Sequence, residues 1–251
     1  MSRYFIELSY NGTDFHGWQR QPNSVTVQET IEFELSKIYG EEIKIMGCGR
    51  TDAGVHAQQF FMHFDTEVEY RKQTLFRLNK MLPNAIALHR VFKVPNELST
   101  RFDAIERTYH FHISSQKDAF KHPFQYWSNR TYNMAAMNEA AMYLLGNQDF
   151  TSFCKSHAQN KTMMCTVSEA HWIEEQHELK FVITANRFLR NMVRAIVGSL
   201  LSVGLGRMSI EEFKNVIDAQ DRRAAGASAP ANGLFLHRIT YDQSRWIELE
   251  P

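Results

Sequence analysis

The chain has 251 residues, 43% apolar and 22% charged, with 28 Lys and Arg balanced by 28 Asp and Glu. Those proportions exclude a disordered, collagen-like or disulfide-scaffold chain, and zero net charge excludes a global basic field, so any nucleic acid would have to be held by a local patch. Three cysteines, Cys48, Cys154 and Cys165, with no Cys-x-x-Cys spacing, argue against a disulfide framework or thiolate zinc site and fit a reducing compartment. Met1–Phe5 lacks the apolar core of a signal peptide, and the longest apolar stretch, Ala195–Leu205, is too short to span a bilayer. The expectation is a soluble cytoplasmic protein with no membrane partner.

In chain order, Arg3–Tyr10 alternates, with Tyr4, Ile6, Leu8 and Tyr10 opposite Glu7 and Ser9, which predicts a half-buried strand. Asn11–Asp14 reads as a turn and Phe15–Pro22 as a loop carrying two large aromatics. Thr26 and Glu29 have the spacing of a capping box, and Val27, Ile31, Leu35 and Ile38 follow at helical spacing up to Gly40. Strands are predicted at 42–46, 59–64 and 86–94, and a helix at 74–82 before Pro83. The second half predicts strand 107–114, helix 134–145, strands 166–173 and 179–185, helices 189–203 and 209–219, and strand 234–241. Both halves read β-α-β-β-α-β, the ferredoxin-like order, with one extra helix in the second. The fold class is therefore α+β, divided as 1–103 and 104–251, a duplication of element order without a residue-level repeat. Stretches 114–132 and 150–162 read as loops able to hold a partner.

The stretch Gly47-Cys48-Gly49-Arg50-Thr51-Asp52-Ala53-Gly54-Val55-His56-Ala57 stands apart. Its glycines allow a sharp turn and close approach of another molecule, and Asp52 lies two residues after Arg50 between apolar strands. A reactive carboxylate would be presented this way, although the pattern also suits a structural turn that Asp52 closes. No third glycine completes a dinucleotide fingerprint, and no P-loop, His-Glu-x-x-His or Gly-x-Ser-x-Gly is present. His110 and His112 share a strand face, but no nearby Cys or carboxylate completes a metal site. Arg187, Arg190 and Arg194, three and four residues apart, predict one stripe beside the apolar face of helix 189–203. That stripe is either a solvated edge or a row seeking an anion, a carboxylate such as Asp52 or a phosphate. Tyr109 is either a core aromatic or a ring that stacks on a base. The small-residue segment 221–234 is either a crossover loop or a close approach to a flat ligand.

Taken together these residues resemble one family. Gly49–Ala57 resembles the signature of the bacterial tRNA pseudouridine synthase A family, and Ser9–Thr13 with Phe15 and Gly17-Trp18-Gln19 resembles its N-terminal motif. Arg101-Phe102-Asp103-Ala104 through Arg107–Phe111, Phe188–Arg194 with Val197–Leu200, and Asp221-Arg222 with Ala229–Leu234 resemble its later motifs, in order over nearly the whole chain. Asn11 stands where the family often has Asp.

The resemblance implies the pseudouridine synthase fold, with the two halves joined into one mixed, mainly antiparallel sheet around a central cleft. It implies isomerisation of uridine to pseudouridine at positions 38, 39 and 40 of the tRNA anticodon stem-loop, with no cofactor and no metal. Asp52 is implied as the essential carboxylate, Arg194 as the cation that keeps it ionised, and Arg50 as a contact to flanking RNA or an aid to base flipping. Tyr109 would stack on the flipped uracil and Leu234 pack on its other side. Phe15, Trp18 and Arg20 at a cleft edge, with Arg187, Arg190, Arg222, Arg223, Lys117 and Lys121, are candidates for RNA contact. The partner would be tRNA rather than DNA, bound by a homodimer. Two alternatives stay open: a tRNA-binding or tRNA-folding protein of the same fold without chemistry, and a glycoside-type hydrolase, which would need a second carboxylate that the motifs lack.

Overall fold

The computed structural model describes residues 1–156 and 161–250. In chain order its elements are β1 (Ser2–Tyr10), α1 (Val27–Tyr39), β2 (Met46–Gly47), β3 (His56–Thr66), α2 (Thr74–Met81), β4 (Ile86–Val94), β5 (Glu106–Ser114), β6 (Tyr126–Trp127), α3 (Met134–Met142), β7 (Gly146–Asp149), β8 (Met164–Glu175), β9 (Glu178–Ala185), α4 (Met192–Gly204), α5 (Ile210–Ala219), β10 (Leu234–Thr240) and β11 (Ile247–Leu249). The α+β class and the mainly antiparallel strand pairing are as expected. Two compact units share the chain: Met1–Ile105 together with the segment from Leu236 onward, and Glu106–Phe235. The closing segment, grouped with the second half from the sequence, thus belongs to the first unit.

In the first unit β1 lies antiparallel between β3 and β4, and β2 adds to the far side of β3. This order, β4-β1-β3-β2, is that of a ferredoxin-like sheet; β11 extends it beyond β4. The predicted half-burial of β1 is corrected, because Phe5 is buried as fully as Tyr4, Ile6 and Leu8. Trp246 covers that second face, with ring centroids 5.0 Å from Phe5, 5.6 Å from Phe61 and 5.1 Å from Phe92. The acid on the same strand, Glu7, accepts from Arg90 Nε at 2.6 Å and Gln59 Nε2 at 2.7 Å, which satisfies a carboxylate that burial would otherwise penalise.

Helix α1 starts where Thr26 Oγ1 accepts from the Glu29 N–H at 3.4 Å and stops at Gly40 in the left-handed region. The predicted strand 42–46 shrinks to Met46–Gly47 for a specific reason. The Ile43 N–H donates to Ser36 Oγ at 2.9 Å and the Ile45 N–H to Glu32 Oε1 at 3.0 Å, so helix side chains take the donors a sheet ladder would need.

In the second unit the sheet order is β5-β9-β8-β7, all antiparallel, with β6 in a short parallel pair on β5. The cross-strand row Phe111–Phe181–Trp172 is buried, and the Asn138 side chain of α3 accepts from the Trp172 N–H at 2.7 Å and donates to its carbonyl at 3.2 Å. Helix α3 ends at Met142, short of the predicted 145, because Gln148 Nε2 binds the carbonyls of Tyr143 and Leu145 and Gly146 turns left-handed into β7. Helix α5 carries a complete capping box between Ser209 and Glu212. Within the expected loop 150–162, Thr151–Phe153 forms a 3-10 turn, and residues 157–160 lie outside the described residues. Among the described residues no helix is long and apolar enough to cross a membrane.

Candidate active site

Asp52 belongs to the first unit, on the loop between β2 and β3. The chain stays tied to the sheet as far as Cys48, whose N–H donates to the Phe61 carbonyl at 2.8 Å. Beyond it, the loop is clamped against the segment that follows β1. The Trp18 N–H donates to the Thr51 carbonyl at 3.2 Å, and the Gly54 N–H donates to the Phe15 carbonyl at 3.2 Å. The Gly12 N–H donates to His56 Nδ1 at 3.0 Å, and the buried hydroxyls of Tyr10 and Thr51 are 2.8 Å apart. Inside the loop the Val55 N–H closes a tight turn on the Asp52 carbonyl at 3.2 Å, with Gly54 at φ 76° as its left-handed corner. Thr51 is buried by this arrangement, Arg50 is exposed and Asp52 is half-buried.

Close approach explains two glycines of the N-terminal motif. A Cβ on Gly12 would lie 2.0 Å from the Val55 carbonyl oxygen, and one on Gly17 would lie 2.4 Å from that of Thr51. On the strand leading to Asp52, a Cβ on Gly47 would fall 2.6 Å from the Trp18 indole, which stacks on Phe60 with centroids 4.1 Å apart. Both ends of the Asp52 turn are therefore fixed by backbone hydrogen bonds and steric contact.

The second unit holds the remaining candidates. Tyr109 on β5 is half-buried, its ring edge-on to Phe188 at 5.1 Å. Arg194 lies on α4 and is doubly tied to the loop that follows α5: its Nε donates to the Ala229 carbonyl at 2.7 Å and its carbonyl accepts from the Ala229 N–H at 2.9 Å. The same loop is sewn to α4 by Gly226 N–H to Ser199 Oγ at 2.9 Å and by Asn191 Nδ2 to Ser228 Oγ at 2.7 Å. Asn232 Nδ2 donates to the Gln125 carbonyl at 2.8 Å, and Gly233 packs against Phe111, setting the entry of Leu234 into β10, where it is buried.

Several sequence-based placements change. Phe15 and Trp18, expected at an RNA-facing edge, are 6% and 1% exposed and instead form the inner wall behind the Asp52 loop. Arg20 is exposed as expected and lies 3.4 Å from Glu29 and 3.7 Å from Glu32. The arginine stripe is not one helical face: α4 begins at Met192, after Asn191 in the left-handed region, so Arg187 and Arg190 precede the helix and Arg194 alone lies on it. Arg190 is exposed and Arg187 half-buried. Arg222 directs its guanidinium to the carbonyls of Ala225 and Gly226 and to Ser228 Oγ at 3.1–3.4 Å, the role of a loop organiser. Arg223 pairs with Asp221 at 2.7 Å, and Lys121 with Glu178 at 2.8 Å. Among the described residues no group of three His, Cys, Asp or Glu side chains could hold a metal. Sequence reasoning missed Tyr10, Thr51 and His56 as supports of the loop; the N-terminal motif contained the signal, since Gly12 and Gly17 invite a backbone to approach.

A family model described as tRNA pseudouridine synthase matches residues 140–242. Over 246 residues the chain is 46% identical to the tRNA pseudouridine synthase A of Porphyromonas gingivalis, covering 96% of this chain and 98% of that protein. It is 43% identical to the enzyme of that name from Bacteroides fragilis, covering 97% and 98%. It is 37% identical to that of Bacillus subtilis, covering 94% and 97%.

Proposed function

The chain belongs to the tRNA pseudouridine synthase A family, and from that premise we propose that it converts uridine to pseudouridine at positions 38, 39 and 40 of the tRNA anticodon stem-loop. The observation that supports this most directly is the Asp52 loop, clamped on both sides by backbone hydrogen bonds and carrying a residue, Asp52, that is only half-buried. Isomerisation breaks the bond from ribose C1′ to uracil N1, rotates the base and forms a bond from C1′ to C5; the C5 proton then leaves and N1 gains a proton. Nothing is oxidised or reduced. Asp52 acts as the ionised carboxylate, attacking C1′ or removing the 2′ proton, and a rigid loop lets it do so without reorganising. The target base must leave the helical stack first.

In this reading Arg194 supplies the positive charge that favours the ionised carboxylate, and its tie to Ala229 couples that charge to the loop that sets Leu234. Tyr109 stacks on the flipped uracil, Leu234 bounds its other side, and exposed Arg50 contacts the flanking backbone. Arg20 and Arg190, both exposed, are phosphate contacts, so binding weakens steeply as salt rises. The enzyme works in the cytoplasm as a homodimer, which spreads a modest basic patch over two chains.

Release of tritium from C5-labelled uridine in unmodified tRNA tests the reading. The wild-type chain should release it from positions 38–40 and nowhere else, and Asp52→Ala should release none. Absence of release by the wild type overturns the activity; release by Asp52→Ala overturns the assignment of the carboxylate; free uracil as product would mark a hydrolase.

A further inference from the structure

Phe102 is a large aromatic left 74% exposed on a turn that the rest of the first unit holds rigid. The turn is closed locally, with the Ser99 N–H donating to Asp103 Oδ2 at 2.7 Å and the Asp103 N–H donating to the Ser99 carbonyl at 3.1 Å. It is anchored at depth by Thr100, which is fully buried. Thr100 Oγ1 donates to the Met46 carbonyl at 3.0 Å and lies 2.8 Å from His63 Nδ1, and the Tyr241 hydroxyl donates to the Thr100 carbonyl. Met46 opens β2, the two-residue strand that leads into the Asp52 loop. Beside the ring, the Arg101 guanidinium lies over Phe102 at 5.4 Å from the centroid.

Singly exposed apolar side chains are common on protein surfaces; what sets Phe102 apart is its turn, held by the buried Thr100 to Met46 at the start of the strand that leads into the Asp52 loop. The surroundings narrow the kind of contact. A stable protein interface needs about 800 Å² from each partner with a broad apolar centre. Here a single exposed ring has a guanidinium over it, a pairing suited to a flat π ligand with a phosphate nearby. Aromatic rings with an adjacent arginine are the usual platforms for unpaired bases.

We propose that Phe102, with Arg101 beside it, is a stacking platform for an unpaired nucleobase of the substrate RNA, outside the uridine being isomerised. Because the turn is pinned to Met46, the platform keeps a fixed offset from the Asp52 loop and helps set which nucleotide reaches the carboxylate. The inference rests on the tRNA-substrate reading above.

The test compares Phe102→Ala, Phe102→Leu and Phe102→Tyr, first by anisotropy of fluorescently labelled unmodified tRNA, which needs no chemistry, and then by C5 tritium release. Stacking is worth about 1–3 kcal/mol per base, so Phe102→Ala should weaken tRNA binding roughly 5- to 150-fold, with the loss falling on KM more than on kcat. Phe102→Tyr, which keeps a π face, should bind within about twofold of wild type, whereas Phe102→Leu should be as weak as Phe102→Ala. Arg101→Ala should lower the slope of log affinity against log salt by about one phosphate contact. Full binding by Phe102→Leu would reduce the site to generic apolar contact and overturn stacking, as would unchanged binding by Phe102→Ala. Dissociation of an oligomer by Phe102→Ala in sedimentation would assign the ring to a second copy of the chain instead. If the wild type binds tRNA but releases no tritium, the isomerase reading fails while the anisotropy series still decides the platform.

Discussion

Gly17 has φ +90°, and a side chain there would meet the Thr51 carbonyl oxygen at 2.4 Å and the Asp52 carbonyl carbon at 3.1 Å. Both penalties fall on the same substitution: an L-residue at positive φ costs about 1–2 kcal/mol, and the clash is with backbone that cannot rotate away. Gly17→Ala should therefore lower stability by about 2 kcal/mol or more and reduce tritium release beyond what unfolding explains, because the atoms displaced are those that carry Asp52. Gly49 is the internal control. It lies three residues from Asp52 in the same loop, but a Cβ there would meet nothing within 4 Å. Gly49→Ala should leave the thermal midpoint nearly unchanged. Melting both variants, and assaying Gly17→Ala well below its midpoint, checks the pair; equal midpoints would show that the loop yields.

At the scale of elements, α4 and the loop after α5 behave as one piece. Gly198 lies inside α4, where alanine would ordinarily stabilise by about 1 kcal/mol. Here a Cβ would fall 1.7 Å from the Ala227 carbonyl oxygen, so the sign reverses. Gly198→Ala should destabilise by about 1–3 kcal/mol as an overpacked contact and push the loop off α4, loosening the ties from Arg194 to Ala229 and from Ser199 to Gly226. Hydrogen exchange at the Gly226 and Ala229 amides should accelerate even where global stability holds. This contact also shows where sequence was legible and where it was not. Local signals located α1, β4 and α5 within a residue or two, because capping residues and apolar spacing act over short range. The start of α4 was misplaced because Asn191 adopts the left-handed region that asparagine tolerates, a choice no spacing encodes. Strand 42–46 failed because Ser36 and Glu32 of α1 take its N–H donors. The Asp52 loop is legible as a Gly-rich motif, whereas Phe15 and Trp18 read as surface residues because their burial depends on contacts with a loop far along the chain.

For the whole molecule, charges balance at pH 7, and acid adds positive charge as histidines protonate; on that background placed groups shape the response of stability to pH. His63 is the main one. Burial, with a smaller contribution from Arg3 and partly opposed by Asp65, lowers its pKa from 6.5 to about 4. A histidine kept neutral in the fold binds fewer protons than in the unfolded chain between those values, so unfolding takes up protons there. The stabilisation is complete above about pH 6.5 and is lost as pH falls towards 4, by up to about 3 kcal/mol. Asp65 acts lower. Its hydrogen bond from Arg3, 2.6 Å between Nη2 and Oδ2, holds its carboxyl below the usual range, so its contribution is present above about pH 4 and fades only beneath that. Both groups lie on β3, the strand that leaves the Asp52 loop, and His63 also contacts Thr100 under the Phe102 turn. Mild acid should therefore weaken the first unit before the Arg3–Asp65 pair is affected. Urea midpoints should fall between pH 6.5 and 4.5 in the wild type, and His63→Gln, which removes the titrating group, should show a much flatter profile over that interval whatever its midpoint at pH 7. An equally steep fall in His63→Gln would assign the acid sensitivity to other groups.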